Sequence, residues 1–189
     1  MGDERMCKNT MKGESMMISC DFLALARERY SIRSYTGEPV REEDLEKILQ
    51  AGHVAPTACN LQPQRIFVLQ SQDALDKLYR CTKCHFHCPT ALLICQDRTA
   101  CWVRKYDGKP SGYIDAAIVT THMMLEAAAL GVGCCWVMHF NPMAVREKFA
   151  LPDNLEPVAI LTMGYPAKDA APYPGHSECR PMEELITRL

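Results

Sequence analysis

The stretch Arg29-Tyr30-Ser31-Ile32-Arg33-Ser34-Tyr35 places two guanidinium groups and several hydroxyl groups close together. It follows an amphipathic segment and precedes the turn-forming residues 37–39. Because a guanidinium is planar, permanently charged and forked, two of them can grip the oxygens of a phosphate group. A charge cluster of this kind is also typical of an ordinary solvated helix end. Other segments of the chain are needed to distinguish the two interpretations.

The composition predicts one folded domain. The 189 residues are 48% hydrophobic, which is enough for a sizeable core. The net charge of −2 gives no reason to expect nucleic acid or an anionic membrane surface as a partner, and no apolar run is long enough to span a bilayer. Residues 1–19 are polar and lack the pattern of a signal peptide. We therefore expect a disordered leader over residues 1–19 and a single domain over residues 20–189.

The eleven cysteines are scattered through apolar and polar segments. Without an export signal, reduced thiols in the cytoplasm are the expected state, several of them buried as small hydrophobic side chains. A disulfide scaffold does not suit a chain of this length with so much aliphatic sequence.

Hydrophobic periodicity and capping residues predict alternating helices and strands. Helices are expected over residues 21–29, 41–53, 71–79, 114–130, 141–151 and 182–189, and strands over residues 66–69, 91–95, 134–138 and 158–163. Residues 96–112 are polar and irregular. The helix over residues 114–130 is apolar almost all round, so we expect it in the core or against a second subunit. By itself, this alternation favours a parallel sheet.

Four segments occur in an order that is found in one known family. They are Arg29-Tyr30-Ser31-Ile32-Arg33, the loop Ala55-Pro56-Thr57-Ala58-Cys59-Asn60-Leu61-Gln62-Pro63, the run Ala129-Leu130-Gly131-Val132-Gly133-Cys134-Cys135-Trp136-Val137, and residues 155–166. Together they resemble the FMN-dependent nitroreductase family over residues 22–189. The resemblance implies an α+β fold in place of a parallel one. The expected form is a three-layer sandwich with a mixed, mostly antiparallel central sheet between helices, dimerised through the long apolar helix.

The resemblance also implies an activity. A homodimer would bind FMN at two sites in its interface, each built from both chains. NADH or NADPH would give hydride to the flavin and leave, and a small-molecule acceptor such as a nitroaromatic or a quinone would then take the electrons. The flavin N5 carries this chemistry, so no catalytic side chain is expected. A dedicated dehydrogenase or dehalogenase that uses the same flavin is an alternative within the same fold.

The implied cofactor-binding residues come from all four segments and from the tail. Carried over by position, they are Arg29, Tyr30, Ser31, Arg33, Pro56, Thr57, Ala58, Asn60, Gln62, Trp136, Val137, Met138, His139 and Arg180. Some family members carry an acid where this chain has Met138. The family often has two basic residues before the proline of the tail, whereas this chain has Cys179-Arg180-Pro181, with His176 as the other candidate. Trp102 and His87 are candidates for the substrate side.

Residues 81–88, Cys-Thr-Lys-Cys-His-Phe-His-Cys, offer a different interpretation. The Cys-x-x-Cys spacing lets two thiolates reach one metal ion, and the nearby histidines could complete a tetrahedral site. The same thiols could form a redox-active pair, or they could be structural. No second Cys-x-x-Cys pair follows, so no metal is expected. The alternative function is a metal- or redox-sensing module that works through this segment.

Overall fold

The computed structural model describes residues 21–189, so the predicted leader over residues 1–19 lies outside the described residues. The elements in chain order are α1 (Phe22–Glu28), α2 (Glu42–His53), β1 (Gln64–Leu69), α3 (Gln72–Tyr79), β2 (Thr90–Asp97), α4 (Gly112–Ala129), β3 (Gly133–Val137), α5 (Pro142–Lys148), β4 (Leu155–Gly164) and α6 (Met182–Leu185). Every predicted helix and strand is present. Asp21 and Ser71 cap α1 and α3 by accepting backbone N–H bonds, as short polar residues at helix starts do.

The four strands form one antiparallel sheet in the order β1-β2-β4-β3. A single parallel bridge joins Ser31 to Cys134, which places residues 29–35 beside β3 at the sheet edge. The mostly antiparallel sheet is therefore confirmed. The parallel sheet that helix–strand alternation favours does not form, because β4 lies between β2 and β3 and runs opposite to both.

Helices cover both faces of the sheet, which confirms the three-layer α+β sandwich. On one face, Leu92, Ile94 and Leu161 pack against α2 and α4 through Ile48 and Met123. On the other face the sheet packs against α3 and α5. The buried contacts there are Leu93, Ile160, Leu75, Leu78 and Val145.

The largest difference from the prediction lies in residues 96–112, and α6 also ends early, at Leu185 instead of residue 189. Gln96 and Asp97 continue β2 and are buried, although polar residues 96–112 were expected to be irregular. Burial is possible because their polar atoms have partners: Gln96 Nε2 donates to Glu156, and Asp97 accepts bonds from Thr99. Helix α4 begins earlier than expected, at Gly112, where a Cβ atom would lie 1.7 Å from Gln96 Oε1. Helix α5 ends at Lys148, short of residue 151.

Helix α4 has an apolar stripe on each of two sides. The inward stripe, which includes Val119 and Met123, is fully buried against the sheet. A second stripe follows the same helical spacing on the outer side. Its members are Ile114, Ala117, Ile118, Thr121 and Leu125, and Ile114 is 65% exposed. Within residues 21–189, no helix has both the length and the hydropathy needed to cross a membrane.

Candidate functional site

Residues 29–35 are fixed against the edge strand β3. The Arg29 N–H caps α1 by donating to the Leu25 carbonyl, and the Ile32 N–H donates to the Cys134 carbonyl at 2.9 Å. A Cβ atom on Gly133 would lie 2.9 Å from the Ile32 side chain, so the two segments approach closely only because this position is glycine. The backbone that carries Arg29, Ser31 and Arg33 is therefore held in place by hydrogen bonds and close packing.

Tyr35 anchors the far end of this segment. Its hydroxyl donates to the Ile32 carbonyl at 2.8 Å and lies 2.9 Å from the Thr162 hydroxyl on β4. Burial raises the pKa of Tyr35 far above its ordinary value, so the phenol stays protonated and keeps its donor. The sequence shows Tyr35 only as one hydroxyl among several. Its anchoring role depends on Thr162, which lies 127 residues further along the chain.

The two arginines and Ser31 converge on one region of β3. Burial raises the pKa of the Cys135 thiol there. That pKa is lowered in part by the charge of Arg33, by a hydrogen bond with Ser31 and by the charge of Arg29. The Arg33 guanidinium donates to the Ser31 carbonyl at 3.2 Å. Among the residues that the structure describes, neither Arg29 nor Arg33 pairs with a carboxylate. Two cations and a hydroxyl that no carboxylate of residues 21–189 neutralises suit an anionic ligand.

A buried carboxylate holds the loop over residues 56–62. Asp115, in the first turn of α4, is 1% exposed and accepts a bond from the Ala58 N–H at 2.8 Å. Its other oxygen accepts a bond from the Ser111 hydroxyl at 2.6 Å. The sequence indicates Asp115 only as a helix-start acid. Its contact with Ala58 spans 57 residues, and no local pattern indicates it.

This loop is also conformationally strained. Cys59, Asn60 and Gln62 have φ angles of 51°, 54° and 50°, in the left-handed region that disfavours residues with a Cβ atom. The Gln62 N–H donates to the Thr57 hydroxyl, and the Gln62 side chain donates to Asn60 Oδ1 at 3.3 Å. The side chains of Asn60 and Gln62 are exposed to solvent. Strain of this kind is typical of sites where a loop presents polar groups to a ligand.

Arg29, Ser31 and Arg33 form one group of candidate residues, the arginine group, and Asn60 and Gln62 form another, the amide group. The two groups lie at opposite corners of the sheet. Gln64, just after the loop, pairs through β2 with Glu156, whereas Cys134 pairs with Met163 on the same strand β4. Three interstrand steps of roughly 4.8 Å and seven residues of roughly 3.3 Å separate Gln64 from Cys134 by about 27 Å. One chain therefore does not bring the arginine group and the amide group together.

The predicted residues on and after β3 continue from the arginine group. Trp136 is half-buried and packs toward the α4 side of the sheet, Val137 is buried, and Met138 and His139 are exposed beyond the strand end. Cys135 lies beside Ser31 and Arg33, and residues 136–139 follow it along the strand and beyond its end.

The remaining candidates are more widely distributed. Arg180 donates to the Glu184 carboxylate at 2.9 Å in the tail, whereas His176 lies 3.2 Å from the Arg27 carbonyl and near the Tyr30 ring. The Trp102 carbonyl accepts a bond from the Ser111 N–H, so Trp102 lies at the same end of the sheet as the 56–62 loop. His87 is elsewhere, beside α3, with its ring 5.6 Å from that of Tyr79.

The three thiols of residues 81–88 have separate surroundings. Cys81 is buried and donates to the Lys77 carbonyl, and burial raises the pKa of Cys88 to about 12. Cys84 Sγ lies 3.7 Å from His139 Nδ1. In the part of the chain that the structure describes, no group of three or more Cys, His, Asp or Glu side chains is arranged to hold a metal ion.

Comparison with known proteins gives consistent matches. The model of the nitroreductase family matches residues 26–88 and 83–165. A nitroreductase family protein from Clostridium difficile has a TM-score of 0.84 and 43% identity, with 89% of this chain and 98% of that chain covered. A Desulfovibrio desulfuricans structure that contains FMN has a TM-score of 0.72 and 29% identity, covering 88% of this chain and 95% of the other. The Bacillus subtilis FMN reductase that uses NAD(P)H is 29% identical over 162 residues, 76% of this chain and 65% of its own.

Proposed function

The chain belongs to the nitroreductase family, and we propose that it is an FMN-dependent oxidoreductase that takes hydride from NADH or NADPH. The observation that carries this proposal is the family match together with the group of Arg29, Ser31 and Arg33. These two cations lack a carboxylate partner among the described residues, and the donor set fits the phosphate of FMN. Bound FMN supplies the hydride chemistry at its N5 atom.

The residues of this chain bind and orient the cofactor. Arg29 and Arg33 would hold its phosphate and the polar ring edge, and Ser31 would contribute a hydroxyl donor between them. The backbone from Trp136 to His139 continues from the same strand and would border the ring system of the bound cofactor. Arg33 would be the cation that favours reduction of bound FMN, because a fixed positive charge offsets the negative charge that the ring gains. No acid–base pair is needed for hydride transfer.

We propose that a second copy of the chain completes each site. Since about 27 Å separates the arginine group from the loop of Asn60 and Gln62 in one chain, these amides reach the cofactor bound by the partner. The exposed stripe on α4 supplies an apolar contact surface for such a dimer. Pro56, Thr57 and Ala58 then line the cofactor pocket from the partner's side.

The dimer has a direct test. Ile114→Glu places a charge on the exposed stripe without touching the core, so it should shift the protein toward monomer and reduce its FMN content. Light scattering measures the oligomeric state, and the flavin released by heat measures the FMN content. Lys47→Glu, a charge change on an exposed part of α2, is the control. A variant that remains dimeric with full FMN content would refute the role of α4.

The acceptor class that fits is a small planar electrophile such as a nitroaromatic or a quinone. Trp102 lies at the loop end of the sheet and is the proposed aromatic contact for it, with His87 a second candidate that lies apart from Trp102. We propose that two residues of the tail, Arg180 and His176, also contact the phosphate of FMN. We place the protein in the cytoplasm, where nicotinamide donors and reduced thiols occur together.

The decisive experiment is the absorbance spectrum of the purified protein, followed by heat release of the chromophore. We expect one FMN per subunit, bleached by NADH or NADPH. Arg33→Ala should weaken FMN binding about 10- to 100-fold, as expected for loss of a charge-assisted bond. Arg104→Ala, which removes an exposed arginine paired with Asp107, should leave FMN binding unchanged. A colourless protein that does not take up added FMN would refute the proposed function.

A further inference from the structure

A thiol and an imidazole meet at the end of β3. Cys84 Sγ lies 3.7 Å from His139 Nδ1, although 55 residues separate them in the chain. Cys84 is half-buried and His139 is exposed, so a small molecule can reach the pair from solvent. When Nε2 carries the imidazole proton, Nδ1 can accept the proton of the thiol. This arrangement resembles the activation of a thiol by an adjacent base.

One buried threonine holds both partners. The Thr82 hydroxyl donates to the His139 carbonyl at 2.5 Å and accepts a bond from the Cys84 N–H at 2.9 Å. A further bond from the Asn141 N–H to the Cys81 carbonyl joins the same two segments. Since the backbone atoms of Cys84 and His139 share one partner, their side chains are held at a defined separation.

His139 also borders an open cleft, and Cys84 lies toward the arginine group. A cleft of about 540 Å³ is lined by Thr82, Lys83 and His139 with neighbouring residues. Cys84 is close enough to Cys135 to affect the pKa of that thiol, and Cys135 lies beside Ser31 and Arg33. The other two thiols of the segment, Cys81 and Cys88, are buried and out of reach of solvent, whereas Cys84 is half-buried.

We propose that Cys84 and His139 form a nucleophilic pair that captures soft electrophiles of the enone and quinone class by conjugate addition. Thr82 is the positioning residue. This inference goes beyond the proposed flavin chemistry and does not depend on it, because the pair is complete within one chain and needs no electron donor.

The addition is balanced without a co-reactant. The Cys84 thiolate attacks the β-carbon, a C–S bond forms, and the carbon–carbon π bond breaks. The thiol proton passes to His139 and from there to the enolate. No oxidation or reduction of the protein occurs, and the product is a stable thioether on Cys84.

The test uses N-ethylmaleimide as the electrophile on the purified full-length protein at pH 7, with the labelling rate of each cysteine measured by peptide mass spectrometry. Cys59 and Cys179 are exposed and serve as internal references. We expect Cys84 to react at least about ten-fold faster than both, because a neighbouring imidazole favours the thiolate. His139→Asn should remove that advantage, since the backbone carbonyl bound by Thr82 is retained. His53→Asn, an exposed histidine on α2, should change nothing.

Two further variants test the positioning. Thr82→Val removes the hydroxyl and should slow labelling of Cys84, whereas Thr82→Ser keeps it and should preserve the rate. The proposal would be overturned if Cys84 of the wild-type protein reacts no faster than the reference cysteines. This outcome does not depend on the stability of the variants. Equal rates in the His139→Asn and His53→Asn proteins would overturn the role of the imidazole.

Discussion

Replacing Asp115 with alanine tests whether one buried carboxylate holds the amide-bearing loop. The side chain is 1% exposed and accepts two bonds, at 2.8 Å from the Ala58 N–H and at 2.6 Å from the Ser111 hydroxyl. Alanine leaves both donors without an acceptor in a place that water reaches poorly. The strained backbone at Cys59 and Asn60 then loses a contact that holds it in place, so the loop should become more mobile.

The magnitude follows from the two bonds. Hydrogen bonds to charged groups contribute about 1.5–3 kcal/mol each, so Asp115→Ala should lower the free energy of unfolding by about 3–4 kcal/mol after partial relaxation. For a chain of this size, about 2–4 °C per kcal/mol implies a fall in Tm of about 6–16 °C. Asp115→Asn should cost only about 1 kcal/mol, because its oxygen still accepts from Ala58 and its amide can donate to Ser111.

Urea unfolding followed by circular dichroism, at matched protein concentration, measures this difference. Asp73→Ala is the control, because Asp73 is exposed on α3 and pairs with Lys77, a contact worth at most about 1 kcal/mol. FMN titration on the same samples should show weaker binding for Asp115→Ala alone. An Asp115→Ala protein as stable as the Asp73→Ala protein would refute the reasoning.

Three other predictions concern stability. Tyr35→Phe removes the hydroxyl that contacts Thr162 and should cost about 1–2 kcal/mol in urea unfolding; no loss would show that the anchor is dispensable. Cys59→Gly relieves a φ of 51° and should raise the free energy of unfolding by about 0.5–1 kcal/mol. An unchanged or lower free energy of unfolding would show that the thiol has a structural role. A hydrogen bond from Arg41 lowers the pKa of Asp44, so this carboxylate stabilises the fold above its unfolded pKa near 4, and that stability is lost as pH falls through the lower, folded pKa. Asp44→Asn should therefore flatten the acid side of the stability–pH curve, and an unaltered curve would contradict the assignment.

Sequence reasoning was reliable for features set by near neighbours. The cap at Ser71 acts within three residues, and the long helix follows from apolar residues at helical spacing. The boundary near Gln96 was misplaced because local polarity predicted an irregular segment. A partner 60 residues away, Glu156, makes burial of Gln96 possible.

The candidate site divides in the same way. The arginine group could be identified from sequence because Arg29, Ser31 and Arg33 lie within five residues of one another. The carboxylate of Asp115 and the threonine that joins Cys84 to His139 could not, because each contact spans more than 50 residues.

By itself the sequence determined the secondary structure, the resemblance to a flavin-dependent family and the candidate anion-binding residues, since these depend on spacing along the chain. Only the tertiary structure decided the strand order and the distance between the two groups of candidate residues. It also decided which cysteine of residues 81–88 meets a histidine. These features arise from pairing between distant segments, where burial and hydrogen-bond satisfaction select one arrangement that no local pattern specifies.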